Sequence, residues 1–238
     1  MRPNYGIDAP SLVRNMMCGG LILVGGWILF PGLGPFRPAL LWSGIPWILT
    51  ASVMIYGSKV GKLRLRDKLI NRLELTGSER VLDMGCGRGL MMIALAKRLP
   101  NGQAVGIDLW QTVDQSGSDP EAVKENARIE QVEDRIEIQT GDMREMPFDS
   151  ESFDCVVSSW AIHNIPDAEG RKRAIQEAAR VLKPGGKLLI VDIQSPFLYA
   201  SKLEEIDMLS VEVSPPNFLF VIPSRVVSAA KPGQTRSS

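Results

Sequence analysis

From Asn15 to Tyr56 the chain is apolar with a single charged interruption, Arg37. That residue separates "NMMCGGLILVGGWILFPGLGPF" from "PALLWSGIPWILTASVMIY". At ~1.5 Å per residue, a helix of about 20 residues spans the hydrocarbon core of a bilayer. The pattern predicts an anchor over residues 1–57: a membrane hairpin with helices near 16–36 and 39–57. A signal peptide has one shorter apolar core, and a buried soluble helix rarely stays uncharged over two consecutive spans. Gly19, Gly20, Gly25 and Gly26 would let the arms approach closely, unless they are simply glycines tolerated in lipid. The next segment, 58–77, is expected to be an amphipathic linker helix. In "KVGKLRLRDKLINRL", Leu65, Leu69 and Leu73 recur at spacing four beside Ile70. Its basic face either meets lipid head groups or is the solvated face of a helix packed on the domain.

Beyond Glu79 the period changes. Short β-rich runs alternate with helical ones: "RVLDM", "QAVGID", "RIEIQ", "FDCVVSS" and "KLLIVDI" read as strands. Helices are expected at "LMMIALAKRL", at "EAVKENARIEQ" behind a capping box from Ser118 to Glu121, over about 168–182 ending at "KPGG", and near 199–208. "SVEVS" and "SRVVSAAK" supply two final strands. Strands alternating with helices predict an α/β domain over 78–232: a doubly wound, mostly parallel seven-stranded sheet. Residues 233–238 read as a frayed tail.

Charge narrows the function classes. Lys+Arg and Asp+Glu both number 27, so no basic excess favours nucleic acid. Cys18, Cys86 and Cys155 lack disulfide or metal-ligand spacing and read as reduced thiols. With His163 the single histidine, no metal site is expected. Basic residues flank the hairpin at both ends (Arg2 and Arg14 before it; Lys59, Lys62, Arg64, Arg66 and Lys68 after it), which predicts that both ends and the domain face the cytoplasm.

The chemistry concentrates in "VLDMGCGRG". Gly85, Gly87 and Gly89 form a loop between the first strand and first helix, where a doubly wound sheet binds its ligand. Asp83 ends that strand. A carboxylate near a pyrophosphate costs roughly 4 kcal/mol per charge pair at ~4 Å and an effective dielectric of ~20, and it favours a cationic ligand instead. S-adenosylmethionine, with a sulfonium and an ammonium and no phosphate, suits such a loop, and free amides there would take its carboxylate.

"VLDMGCGRG" resembles the first motif of class I S-adenosylmethionine-dependent methyltransferases. "GID", "GDM", "FDCVVSSWAIHNI" and "VLKPGGKLLIVD" resemble the segments that follow in that family, over about residues 78–193. The likeness is greatest to the branch of ubiquinone and menaquinone biosynthesis methyltransferases. The resemblance implies a cofactor site of Asp83, Gly85, Cys86, Gly87, Gly89, Asp108, Leu109, Asp142, Met143 and Ser158. Asp108 would meet the ribose hydroxyls, Asp142 the adenine amino group, and Met143 would border the ring. His163 is the expected catalytic group, orienting or deprotonating a small acceptor with Asn164 or Ser159 assisting; its alternative is a purely structural role. "WQTVDQSGSD" is expected either to fold over the adenine edge or to be a surface loop. The anchor suits a lipophilic acceptor (quinone, phenol, lipid or thiol), or holds the chain beside a membrane partner. A non-catalytic S-adenosylmethionine sensor and a nicotinamide-dependent oxidoreductase are the competing readings.

Overall fold

The computed structural model describes residues 3–110, 119–218 and 223–233. Two long helices come first, α1 (Pro10–Leu29) and α2 (Arg37–Tyr56), packed on each other. Both are long and apolar enough to cross a membrane. The first starts and ends earlier than its hydropathy predicts, because prolines set its limits: Pro10 opens it and Pro31 begins a tight turn over Pro31–Phe36. The arms meet where side chains vanish. A Cβ on Gly20 would lie 2.9 Å from the Gly44 carbonyl, and one on Gly19 would strike the Trp47 ring at 2.7 Å. Gly25 and Gly26 take no part in this close approach, and Gly44 replaces them as the opposing small residue.

Helix α2 passes through a π-helical turn (Gly57–Gly61) into α3 (Lys62–Leu73). The leucine stripe explains where α3 goes. Leu65, Leu69, Ile70 and Leu73 are buried in one core cluster with Met91, Leu95 and Leu99, so this helix packs on the domain rather than on lipid. Lys62, expected among the flanking charges, is buried with it.

The domain follows as β1 (Arg80–Met84), α4 (Leu90–Ala96), β2 (Gln103–Asp108), α5 (Pro120–Ile129), β3 (Ile136–Thr140), β4 (Phe153–Ser159), α6 (Ala168–Val181), β5 (Leu182–Asp192), α7 (Pro196–Glu205), β6 (Leu209–Val213) and β7 (Arg225–Ala230). They form one seven-stranded sheet of order β3-β2-β1-β4-β5-β7-β6. β1 through β5 pair in parallel, and β7 runs antiparallel to both its neighbours. One core cluster lies with α3 and α4; the other holds residues of α6 and α7. The strand order reverses between β1 and β4, which opens a crevice at their carboxyl ends.

Two local expectations are corrected. The cap of α5 is Asp119, whose side chain accepts from the Ala122 N–H at 2.7 Å, with Pro120 at the first helical position. Ser118 and most of the "WQTVDQSGSD" link lie outside the described residues, as does the tail beyond Gly233. "KPGG" does not stop α6, which ends at Val181. Leu182 already pairs with Phe153, and the next pair is Lys187 with Cys155, so residues 183–186 bulge out of β5 opposite Asp154 alone. Gly185 at φ 78° makes that bulge, and its N–H donates to the Lys231 carbonyl at 3.0 Å.

Candidate active site

A cavity of about 440 Å³ opens at the carboxyl ends of β1, β2 and β4. Gly85, Cys86, Gly87, Asp108, Leu109, Asp142, Met143, Ser159, His163 and Asn164 line it. Among the residues implicated by sequence, Asp83, Gly89 and Ser158 do not. Ser158 is buried and its hydroxyl donates to the Met84 carbonyl at 2.9 Å, bracing β4 against β1. Gly89 precedes α4 at φ 80°. Gly85 is needed for closeness: at φ 72°, a Cβ there would lie 2.2 Å from that of Ala161.

Asp83 sits beneath the loop, wholly buried. Its Oδ2 accepts from the Met92 N–H at 2.9 Å and so supports the first turn of α4. Its Oδ1 has no partner among the described residues. Desolvation, with the nearby Asp108 charge adding to it, pushes the Asp83 carboxyl up to about 7. Burial likewise raises the Cys86 thiol, which stays neutral.

The loop amides differ from expectation. Gly85 N–H and Cys86 N–H both donate to the Ile107 carbonyl, at 2.8 and 3.3 Å, and Gly87 N–H donates to Asp108 Oδ2 at 2.8 Å. They turn inward to the end of β2 and do not form an anion cradle. Asp108 is held at the cavity by that bond and by the Trp110 N–H at 2.8 Å. Asp142 is clamped by the Arg144 guanidinium, which holds its carboxyl below the usual range. The acids on the lining are Asp8, Asp108 and Asp142, set among apolar side chains, and Asp108 at the end of β2 fits the hydroxyls of a ribose. Lys62, Arg88 and Arg144 are cations on the lining.

His163 has a partner that sequence reading missed. Its Nδ1 lies 2.6 Å from Asp192 Oδ1, and its backbone N–H donates to Asp192 Oδ2 at 3.0 Å. Asp192 is buried at the end of β5 and also accepts from Tyr199 Oη (3.0 Å) and the Ile193 N–H (2.8 Å). A carboxylate only accepts, so Nδ1 carries the proton and Nε2 is left as the acceptor. An acid ending the buried run "LLIV" was the available signal. Tyr5, Asp8 and Lys62 also line the cavity without any such signal, since they arrive from the N-terminal segment and α3.

The strand order, with its antiparallel seventh strand, and a ligand crevice beside a glycine loop define the class I methyltransferase fold. Solved structures agree. The cyclase SpnF superposes with a TM-score of 0.60 at 18% identity, covering 74% of this chain and 83% of its own. A SAM-dependent methyltransferase from Aquifex aeolicus gives 0.55 at 19%, covering 73% and 97%. Residues 82–190 match the family model described as "Methyltransferase domain". Residues 82–190 thus carry a methyltransferase domain, on a sheet with the class I fold. Among curated relatives, a demethylmenaquinone methyltransferase from Lactobacillus johnsonii is 31% identical over 132 residues, 55% of this chain and 50% of that protein. A 27-O-demethylrifamycin SV methyltransferase from Amycolatopsis mediterranei is 35% identical over 129 residues, 54% and 44%. The chain thus spans about half the length of the curated relatives it matches.

Proposed function

We propose that this protein is a membrane-anchored methyltransferase that uses S-adenosylmethionine to methylate a hydroxyl on a small, lipophilic acceptor. The observation that carries the reading is His163, backed by the buried Asp192, facing the same cavity as Gly85, Gly87 and Asp108. S-adenosylmethionine, when bound, supplies an electrophilic methyl group on its sulfonium. Asp108 would hold the ribose hydroxyls, Asp142 and Met143 the adenine edge, and Arg88 would answer the carboxylate. Asp83 acts from below, by holding the first turn of α4 in place. The chain's own part in the chemistry is proton removal and orientation. His163 Nε2 takes the acceptor's hydroxyl proton while Asp192 keeps the ring in the right tautomer and stabilises the imidazolium that results. Ser159 and Asn164 lie beside it to orient the acceptor.

An O–H acceptor fits because such a base is superfluous for a nucleophile without a proton to lose. The similarity to relatives named for demethylmenaquinone and demethylrifamycin supports a small-molecule acceptor. The exposed apolar surface of the hairpin supports a membrane anchor, and the basic residues flanking it are the reason for putting the domain on the cytoplasmic side. The test is incubation of the full chain with methyl-labelled S-adenosylmethionine and a membrane extract. A labelled O-methyl ether is expected. Donor binding without product from any extract would favour a sensor role; failure to bind the donor would sink the reading altogether.

A further inference from the structure

Part of the cavity wall comes from the domain-side ends of the hairpin and the segments joined to them. Ala9 immediately precedes α1, Met54 sits in the last turn of α2, and Ser58 and Lys62 follow; all four line the cavity. Both arms therefore reach the cavity at their domain-side ends. Met143, Trp160, Ile165 and Ile193 continue the lining with apolar surface. Within a turn of these positions the arms expose Leu12, Val53 and Tyr56 on their outer faces. The wall is held in place by polar ties. Lys62 Nζ donates to the Tyr5 carbonyl at 2.9 Å, the Ser58 hydroxyl donates to Asp8 Oδ2 at 2.8 Å, and the Asp8 N–H donates back to Ser58 Oγ at 3.1 Å.

We propose that the edge of the cavity lined by Ala9 and Met54 is a lateral portal through which a long-chain phenol passes from the bilayer into the cavity without crossing water. This rests on reading the hairpin as a membrane anchor. The physical reason is that each methylene drawn into water adds to the cost of transfer, whereas a passage flanked by apolar helices keeps the chain dry. The head group then arrives beside His163, and the tail stays between the arms. Met54 is the specificity-determining residue of the portal, since its unbranched, polarisable side chain yields to a passing tail.

The experiment uses the full chain in phosphatidylcholine vesicles, with flotation confirming insertion first. Two diazirine-bearing phenols serve as probes, one with a dodecyl tail supplied in the bilayer and one with an ethyl tail supplied in water. After illumination, mass spectrometry maps the adducts. The dodecyl probe is expected to label the segment around Met143 and Trp160, and Met54→Arg to lower that labelling roughly tenfold. Labelling by the ethyl probe and binding of S-adenosylmethionine should be unchanged. Where Met54→Arg loses donor binding through misfolding, Met54→Trp, an uncharged plug, takes its place. Absence of cavity adducts from the dodecyl probe, equal labelling in wild type and variant, or an equal fall for both probes would overturn the portal. Failure to float overturns the anchor reading with it. Methyl transfer is not read, so lack of product bears on the proposed function alone.

Discussion

Beneath the glycine loop, the Asp83 carboxyl titrates at about 7, where an exposed aspartate would have lost its proton near 3.9. Between those values the folded chain holds a proton that the unfolded chain has released. The contribution of this group to stability therefore falls as pH rises from about 4 to about 7 and is level above, the reverse of a salt-bridged aspartate. The rise from 3.8 to about 7 corresponds to ~4 kcal/mol at full ionisation. Asp83→Asn keeps an acceptor for the Met92 N–H and removes the titration. Denaturant midpoints measured from pH 5 to pH 8 should then fall less steeply in the variant; an unaltered slope would show that Asp83 is not the titrating group. At the same scale, Asp192→Asn should lower kcat by about 10²–10⁴ with donor affinity unchanged, because the imidazole loses its preferred tautomer. Tyr199→Phe removes one of the donors to Asp192 and should cost far less. Steady-state kinetics with calorimetry of the donor separates these effects.

Among the elements, α3 shows how a pattern can be legible while its partner is not. Its leucine stripe was plain, yet a basic face on lipid and a solvated face on a domain-packing helix were equally good readings. The match between that stripe and the apolar face of α4 decides it. Leu69 is 3% exposed in that interface, so Leu69→Ala should destabilise the fold by about 2–5 kcal/mol, read as a lowered Tm. Asp119→Ala, which removes the cap of α5, should cost only about 1 kcal/mol by the same measurement. β1, β2 and β4 begin and end where their composition predicts, because each is a short apolar run bounded by turn residues or charges. β5 starts five residues early, since pairing of Leu182 with Phe153 recruits a segment whose glycines and proline read locally as a turn.

For the molecule as a whole, the hairpin and the sheet make a joint prediction. The full chain should float with vesicles and stay with them through high salt and alkaline carbonate, with release only by detergent. Release by salt alone would reduce the hairpin to a peripheral contact. Order and identity of the strands, the position of the glycine loop, the acids at the ends of β1 and β2, and the two apolar spans were all readable from the chain, because each rests on local composition and periodicity. The tertiary structure alone decided which acid serves His163, where Lys62 and Tyr5 go, and that the loop amides are already occupied. Those outcomes depend on groups up to 57 residues apart, as in the bond from Lys62 to the Tyr5 carbonyl. Pairing at such separation is set by how the helices pack on the sheet, and short-range sequence patterns carry no record of it.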